Sequence, residues 1–477
     1  MKKFLLAALF LGCLLASRSN AGGIFDSFFT GGTMRVDYYH TGTKGEERIA
    51  LDEAIEEGPW PGSRVNLTDT LNLGEYLVKV FDRTTNILLY SRGYSSVFNE
   101  WQTTDEAERM SRTMSESVRF PFPRRAVQVT ISRRDRHMEF HEVFSIIINP
   151  ADPTQVRHSW TGSRYPVSVL MENGSPGEKV DILILGDGYA ANEMDKFRKD
   201  AQRLNESMFR THPFKEHMKE FNVRRMDVTS EESGIDVPDK GAWKRHALGA
   251  QYNTFGVSRY VLTLENKVLR DIAGSAPYDF LCILINDSRY GGGGIYNLYA
   301  TTYTGESVSG QKWQEDYMYV HEFGHSFGGL ADEYYTSTTG YNDLYLPGIE
   351  PWEPNVTALT DRNNVKWKAF LSPGIAVPTP WEKIAYDSLE AIRAKFDRLA
   401  PDYYEKREPI MKAETAILKS SQAAGKVGVF EGAGYAARGL YRPAVDCRMF
   451  TLSLVDFDPV CSAAIERVIG FYAGAGK

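Results

Sequence analysis

The chain of 477 residues carries 55 Lys and Arg against 62 Asp and Glu, a formal charge of -7, with 42% hydrophobic and 25% charged residues. That composition belongs to a globular protein with room for two or three domains, and the acidic balance argues against a nucleic-acid binder: the basic pairs Arg124-Arg125, Arg133-Arg134 and Arg224-Arg225 are scattered and form no stripe. Four cysteines are too few for a disulfide scaffold, although Cys447 and Cys461 are a pair that an oxidising compartment can join, with Cys282 left as a buried thiol.

Met1-Lys2-Lys3 followed by the apolar run Phe4 to Ala16 and the small residues Ser19-Asn20-Ala21 predicts a signal peptide over residues 1–21, cut before Gly22. Cys13 invites a lipoprotein reading, but Phe10-Leu11-Gly12-Cys13 is a poor lipobox. Elsewhere no stretch approaches the length of a membrane helix. A mature chain without a transmembrane segment is therefore expected outside the cytoplasm, in the periplasm, at the cell surface or secreted. Residues 22–165 then predict an all-β sandwich, because runs such as Met34 to His40, Tyr76 to Phe81, Ile87 to Ser91, Ala126 to Ile131 and Phe140 to Ile148 alternate with the period of half-buried strands. His40, His137 and His141 are isolated within it and read as strand residues, not ligands.

A polar linker from Asn149 to Gly177 precedes a change of pattern, so that residues 166–477 predict an α/β domain. Val180 to Leu185 reads as a buried strand and Asn192 to Phe209 as an amphipathic helix with Met194, Phe197, Ala201, Leu204 and Met208 on one stripe. Gly186-Asp187-Gly188-Tyr189 between them lacks the further glycine or Gly-Lys-Ser/Thr of a phosphate loop and reads as a tight turn. Phe221 to Val228 and Leu281 to Ile285 predict strands, with a helix over Tyr260 to Ile272. Farther on, Thr336 to Ala376 is rich in Gly, Pro, Asn and Asp, Trp381 to Leu399 returns to helix, and Ser462 to Phe471 forms a terminal helix.

The chemistry gathers between Val320 and Tyr335. His321 and His325, four apart on a predicted helix, project from one face and can reach one ion, with Glu322 placed to exchange a proton with water. That is the H-E-x-x-H arrangement of zinc peptidases. Gly328 and Gly329 break the helix where the chain must turn back to bring a third ligand. No histidine follows His325, so a downstream His cannot be the third ligand; a carboxylate oxygen is an ordinary zinc ligand, which makes Asp332 the first candidate and Glu333 the alternative.

The run from His321 to Tyr335, with Leu183-Ile184-Leu185-Gly186-Asp187-Gly188-Tyr189 before it and Val429 to Tyr435 and Gly439-Leu440-Tyr441-Arg442-Pro443 after it, resembles the IgA-peptidase family of bacterial metallopeptidases, the igalysin branch of the metzincins, over roughly residues 175–472. The resemblance implies a metzincin-like α/β catalytic domain with one Zn²⁺, preceded by an all-β domain, and a protein or peptide substrate. It further implies that Gly294 to Tyr299, with Gly294, Tyr296 and Asn297, supply a sheet edge on which extended peptide lies as an added strand. By the same likeness Met449 is preferred over Met411 as the methionine beneath the metal, and Tyr441 is a candidate to stabilise the oxyanion. The expected function is a secreted zinc-dependent endopeptidase with Glu322 as general base. The rival readings are a binding protein on a peptidase scaffold and a zinc hydrolase of cell-wall amides. Cleavage of immunoglobulin A does not follow from the family name.

Overall fold

Alternation makes the first layer. In the strand Tyr76–Asp82, Tyr76, Val78 and Val80 are buried while Leu77, Lys79 and Phe81 are partly exposed, the pattern of a sheet with one face on a core. The computed structural model describes residues 21–158, 162–305, 312–337, 339–341, 344–396 and 402–474; the signal peptide expected over residues 1–21 lies almost wholly outside them. Two four-stranded sheets face each other across one apolar core. One runs in the order Arg112–Pro123, Phe29–Gly42, Glu47–Pro59, Val156–His158, and the other Leu88–Tyr94, Tyr76–Asp82, Val127–Arg134, Phe140–Ile148.

The second layer is a six-stranded sheet in the order Gly292–Ile295, Tyr299–Tyr303, Phe280–Ile285, Val180–Asp187, Phe221–Met226, Val167–Met171. Its four inner strands are parallel and both edges antiparallel. Every residue of Val180–Asp187 and Phe280–Ile285 is buried, as strands covered on both faces require. The helices Met194–Met208, Trp313–Gly328 and Pro459–Ala473 cover one face. The helix Asn266–Ala273 covers the other, together with Val97, Phe98 and Trp101 from the N-terminal region. Across the same junction Arg119 donates to the Tyr278 carbonyl at 3.1 Å, and Lys267 pairs with Asp52 and Glu53 at 2.8 and 2.7 Å. Among the described residues no helix is long and apolar enough to cross a membrane.

Three sequence expectations need correction. The stretch taken as linker contains two strands, Val156–His158 in a sandwich sheet and Val167–Met171 in the six-stranded sheet, short enough to escape a periodicity test. The helix expected from Tyr260 starts only at Asn266, because Leu262–Thr263 pairs with Ala250–Gln251 instead; tertiary pairing overrides local preference there. The helix Tyr403–Ser420 has no counterpart among the expected elements, because the Pro409 inside it breaks the helical pattern in the sequence. The turn at Asp187 fits its expected role: its carboxylate accepts from the backbone of Gly188, Ala247, Leu248 and Ala250 and from His246, tying the 246–250 segment to the end of the central strand.

Candidate metal centre in a cleft between the two regions

The helix Trp313–Gly328 presents His321, Glu322 and His325 on consecutive turns. It is pinned from below by Phe323 and Phe327, which meet Phe214 and Phe280 with ring centroids 4.7 to 6.3 Å apart. Gly329 ends it at φ +61°, where a side chain is unfavourable, and its N–H bonds to the His325 carbonyl. That reversal carries Asp332 back over the helix. Asn355, fully buried, holds the returning chain by bonding both the N–H and the carbonyl of Ala331, at 2.8 and 2.9 Å.

Three donor atoms converge. Nε2 of His321 and of His325 lie 3.0 and 3.2 Å from Asp332 Oδ1, and 3.2 Å from each other. The other ring nitrogens face acceptors: His321 Nδ1 lies 3.1 Å from the Arg448 carbonyl and 3.0 Å from the Tyr317 hydroxyl, whose own hydrogen goes to that carbonyl, and His325 Nδ1 lies 2.6 Å from the Leu330 carbonyl. Carbonyls only accept, so both hydrogens sit on Nδ1 and both Nε2 lone pairs point at the shared centre. Asp332 Oδ1 is buried without a hydrogen bond, while Oδ2 takes the Tyr435 hydroxyl. Burial works to raise the Asp332 carboxyl, but the two imidazoles in their protonated form, donating from Nε2 and carrying positive charge, outweigh it and hold it well below the usual range; a cation bound to the neutral rings would take over that role. Two imidazole lone pairs and an anionic oxygen with no other partner fit a divalent cation such as zinc, whose ligand distances of about 2.0–2.2 Å place such atoms about 3.3 Å apart.

Glu322 is buried and lines the cleft above this centre. Burial raises its carboxyl above the ordinary value, against the opposing pull of His321 and His325. Glu333, the alternative third ligand, faces elsewhere and bonds Asn355 and the Cys461 thiol. Met449 is fully buried under the motif helix, its sulfur 3.0 Å from where a side chain on Gly324 would begin, whereas Met411 is half-buried in the Tyr403–Ser420 helix. Gly294 and Tyr296 line the cleft. Asn297 does not: at φ +56° it makes the turn after the edge strand, with its N–H on the Ser326 carbonyl and its side chain on the Gly93 carbonyl. Tyr441 is likewise elsewhere, paired through its backbone with Thr357 and packed beside Val365 and Trp367.

Besides Tyr296, the tyrosines brought to the cleft are Tyr260, Tyr334, Tyr341, Tyr345 and Tyr435, and Arg259 adds a cation that donates to the Tyr334 hydroxyl. One wall comes from the N-terminal region, through Glu75, Ser95, Asn99, Glu100 and Met138. Glu100 accepts the hydroxyls of Tyr260 and Tyr341, and burial pushes its carboxyl up to about 7. Tyr435 lies within a run already quoted for its resemblance, so a signal for it existed; for Asn355 and Glu100 no local pattern did. No curated protein matches the chain. Residues 24–145 match the family model of the Peptidase M64 N-terminus and residues 169–469 that of IgA Peptidase M64. The second match spans more than half of the chain, and the protein thus belongs to the IgA Peptidase M64 family, a family of peptidases.

Proposed function

We infer that the protein is an exported zinc-dependent endopeptidase of metzincin type, in which His321, His325 and Asp332 hold the ion and Glu322 serves as general base and then as acid. The observation that carries this reading is the convergence of two Nε2 lone pairs on a carboxylate oxygen left without a hydrogen bond. Zinc in such a site acidifies water and polarises the scissile carbonyl. The remaining work falls to the chain. Glu322 takes the proton from the attacking water and returns it to the leaving amine nitrogen; its burial favours the protonated form that must exist between the two transfers. Arg259 adds positive charge to the cleft where negative charge develops.

Substrate orientation follows from the edge strand Gly292–Ile295. Gly291 faces its partner strand, since its carbonyl accepts from Tyr303, so Gly292 and Gly294 face outward. The outward groups of Gly292 are taken by the Arg259 carbonyl and the Val261 N–H, both at 3.1 Å. Gly294 is the position left to pair with an extended peptide, and a side chain there would begin 2.3 Å from the Glu322 carbonyl. The substrate strand therefore runs directly over the motif helix. Met449 under that helix and an antiparallel edge over it support the metzincin assignment. The leader that the sequence predicts over residues 1–21 supports export.

Replacing Glu322 by Gln tests the roles: zinc content by elemental analysis should stay at the wild-type level while cleavage of an unfolded protein substrate falls about 10²- to 10⁴-fold. A fully active variant overturns the assignment of the base.

A further inference from the structure

Below the cleft lies a second group of ligand-type side chains that the proposed reaction does not use. Glu333, Cys447, Asp458 and Cys461 are all buried, and one ligand atom from each lies within 4.8 Å of the others. The two sulfurs are thiols 3.8 Å apart, the separation that two thiolates keep on one tetrahedral ion at Zn–S of about 2.3 Å. Cys461 Sγ is 3.2 Å from Glu333 Oε1. Three observations set this cluster apart from a chance meeting of acids.

Glu333 Oε2 and Asp458 Oδ2 are buried without any hydrogen bond, a costly arrangement that a cation would relieve. Asp458 spends only its other oxygen, Oδ1, capping the terminal helix through the N–H groups of Val460 and Cys461, at 2.7 and 3.1 Å. Cys447 Sγ accepts two backbone N–H bonds, from Met449 at 3.5 Å and Asp458 at 3.4 Å. Paired N–H donors suit a ligating thiolate better than a thiol, which is a weak acceptor. Cys461 sits in the first turn of a 15-residue helix, at the positive end of its dipole.

We propose that Glu333, Cys447, Asp458 and Cys461 bind a second, structural zinc ion. Two sulfur and two carboxylate ligands with no open position suit a borderline-soft ion that takes four ligands, and the cysteines release their protons to solvent as it enters. The ion clasps the 447–461 segment to the residue beside Asp332. That segment carries the Arg448 carbonyl on His321 Nδ1 and the Met449 sulfur beneath Gly324, so the second ion braces the first.

Elemental analysis of the full-length protein should give about two zinc ions per chain, falling to about one in Cys461→Ser and in the shape-conserving Asp458→Asn. His325→Ala should also fall to about one, by losing the other ion. Cobalt in place of zinc gives thiolate-to-metal charge-transfer absorption only where sulfur ligates, so the band should appear in the wild type, survive in His325→Ala and vanish in Cys461→Ser. Absence of that band in the wild-type protein overturns the proposal. So does recovery of Cys447 and Cys461 as a disulfide-linked peptide, or a zinc content that Cys461→Ser leaves unchanged.

Discussion

Two regions of this molecule bury histidine among carboxylates, and they do so in opposite ways. In the sandwich His40 gives each ring nitrogen its own acid, Glu116 and Glu47, both at 2.9 Å, and its ring stacks on Phe98 at 3.9 Å. The acids are engaged further: Glu47 takes the Tyr76 hydroxyl and Arg133, and Glu116 takes the Phe98 N–H. Charge there is closed on itself. In the cleft two rings turn their Nδ1 hydrogens away to carbonyls and aim the remaining lone pairs at one oxygen that has no hydrogen bond. Identical residue types thus make a sealed ion pair in one place and a socket for a cation in the other, and only the direction of the ring nitrogens separates them.

Removing an acid from each cluster should break them differently. Asp332→Ala takes away a ligand, and cleavage should fall by about 10³-fold or more with the loss of zinc, read by turnover and elemental analysis; dialysis against a chelator should do the same to the wild type. Replacing His40 by Gln leaves catalytic zinc in place but strands two buried carboxylates, at a cost of roughly 3 kcal/mol in denaturant unfolding near pH 6. The sign of its pH dependence follows from the environment. Burial lowers the His40 pKa, but Glu116 and Glu47 outweigh it and raise it to about 9. Since the folded value lies above the unfolded one, this stabilisation is complete below about pH 6.5 and fades as pH rises through about 9, a slope that His40→Gln should flatten.

Smaller effects sharpen the contrast. Tyr435→Phe removes the hydroxyl on Asp332 Oδ2 and should weaken zinc affinity or turnover by about 10- to 100-fold, measured by chelator competition. Tyr441→Phe, outside the cleft, should leave turnover within about twofold of wild type. If the two tyrosine variants behave alike, the cleft has been drawn around the wrong residue.

The legible parts of this molecule were those governed by near neighbours in the chain. The strand Tyr76–Asp82 shows its period of two and the motif helix shows its ligand pair and its terminating glycines without any knowledge of tertiary structure. What escaped was assembled from a distance. Tyr435 reaches Asp332 across 103 positions and Glu100 reaches Tyr260 across 160, and neither meeting leaves a periodic trace. Asn297 misled for a different reason: its place after the glycine run suits a substrate edge, but a left-handed turn conformation points it toward the N-terminal region. The sulfurs of Cys447 and Cys461 were visible as a pair and Glu333 as a ligand candidate for the other site, yet nothing local tied Glu333 to the two sulfurs, and Asp458 carried no mark at all.

The wall that Ser95, Asn99 and Glu100 lend to the cleft ties hydrolysis to assembly. A chain whose β-rich front has not docked has the motif helix but lacks that wall of the cleft, so the complete groove exists only once the two regions have come together.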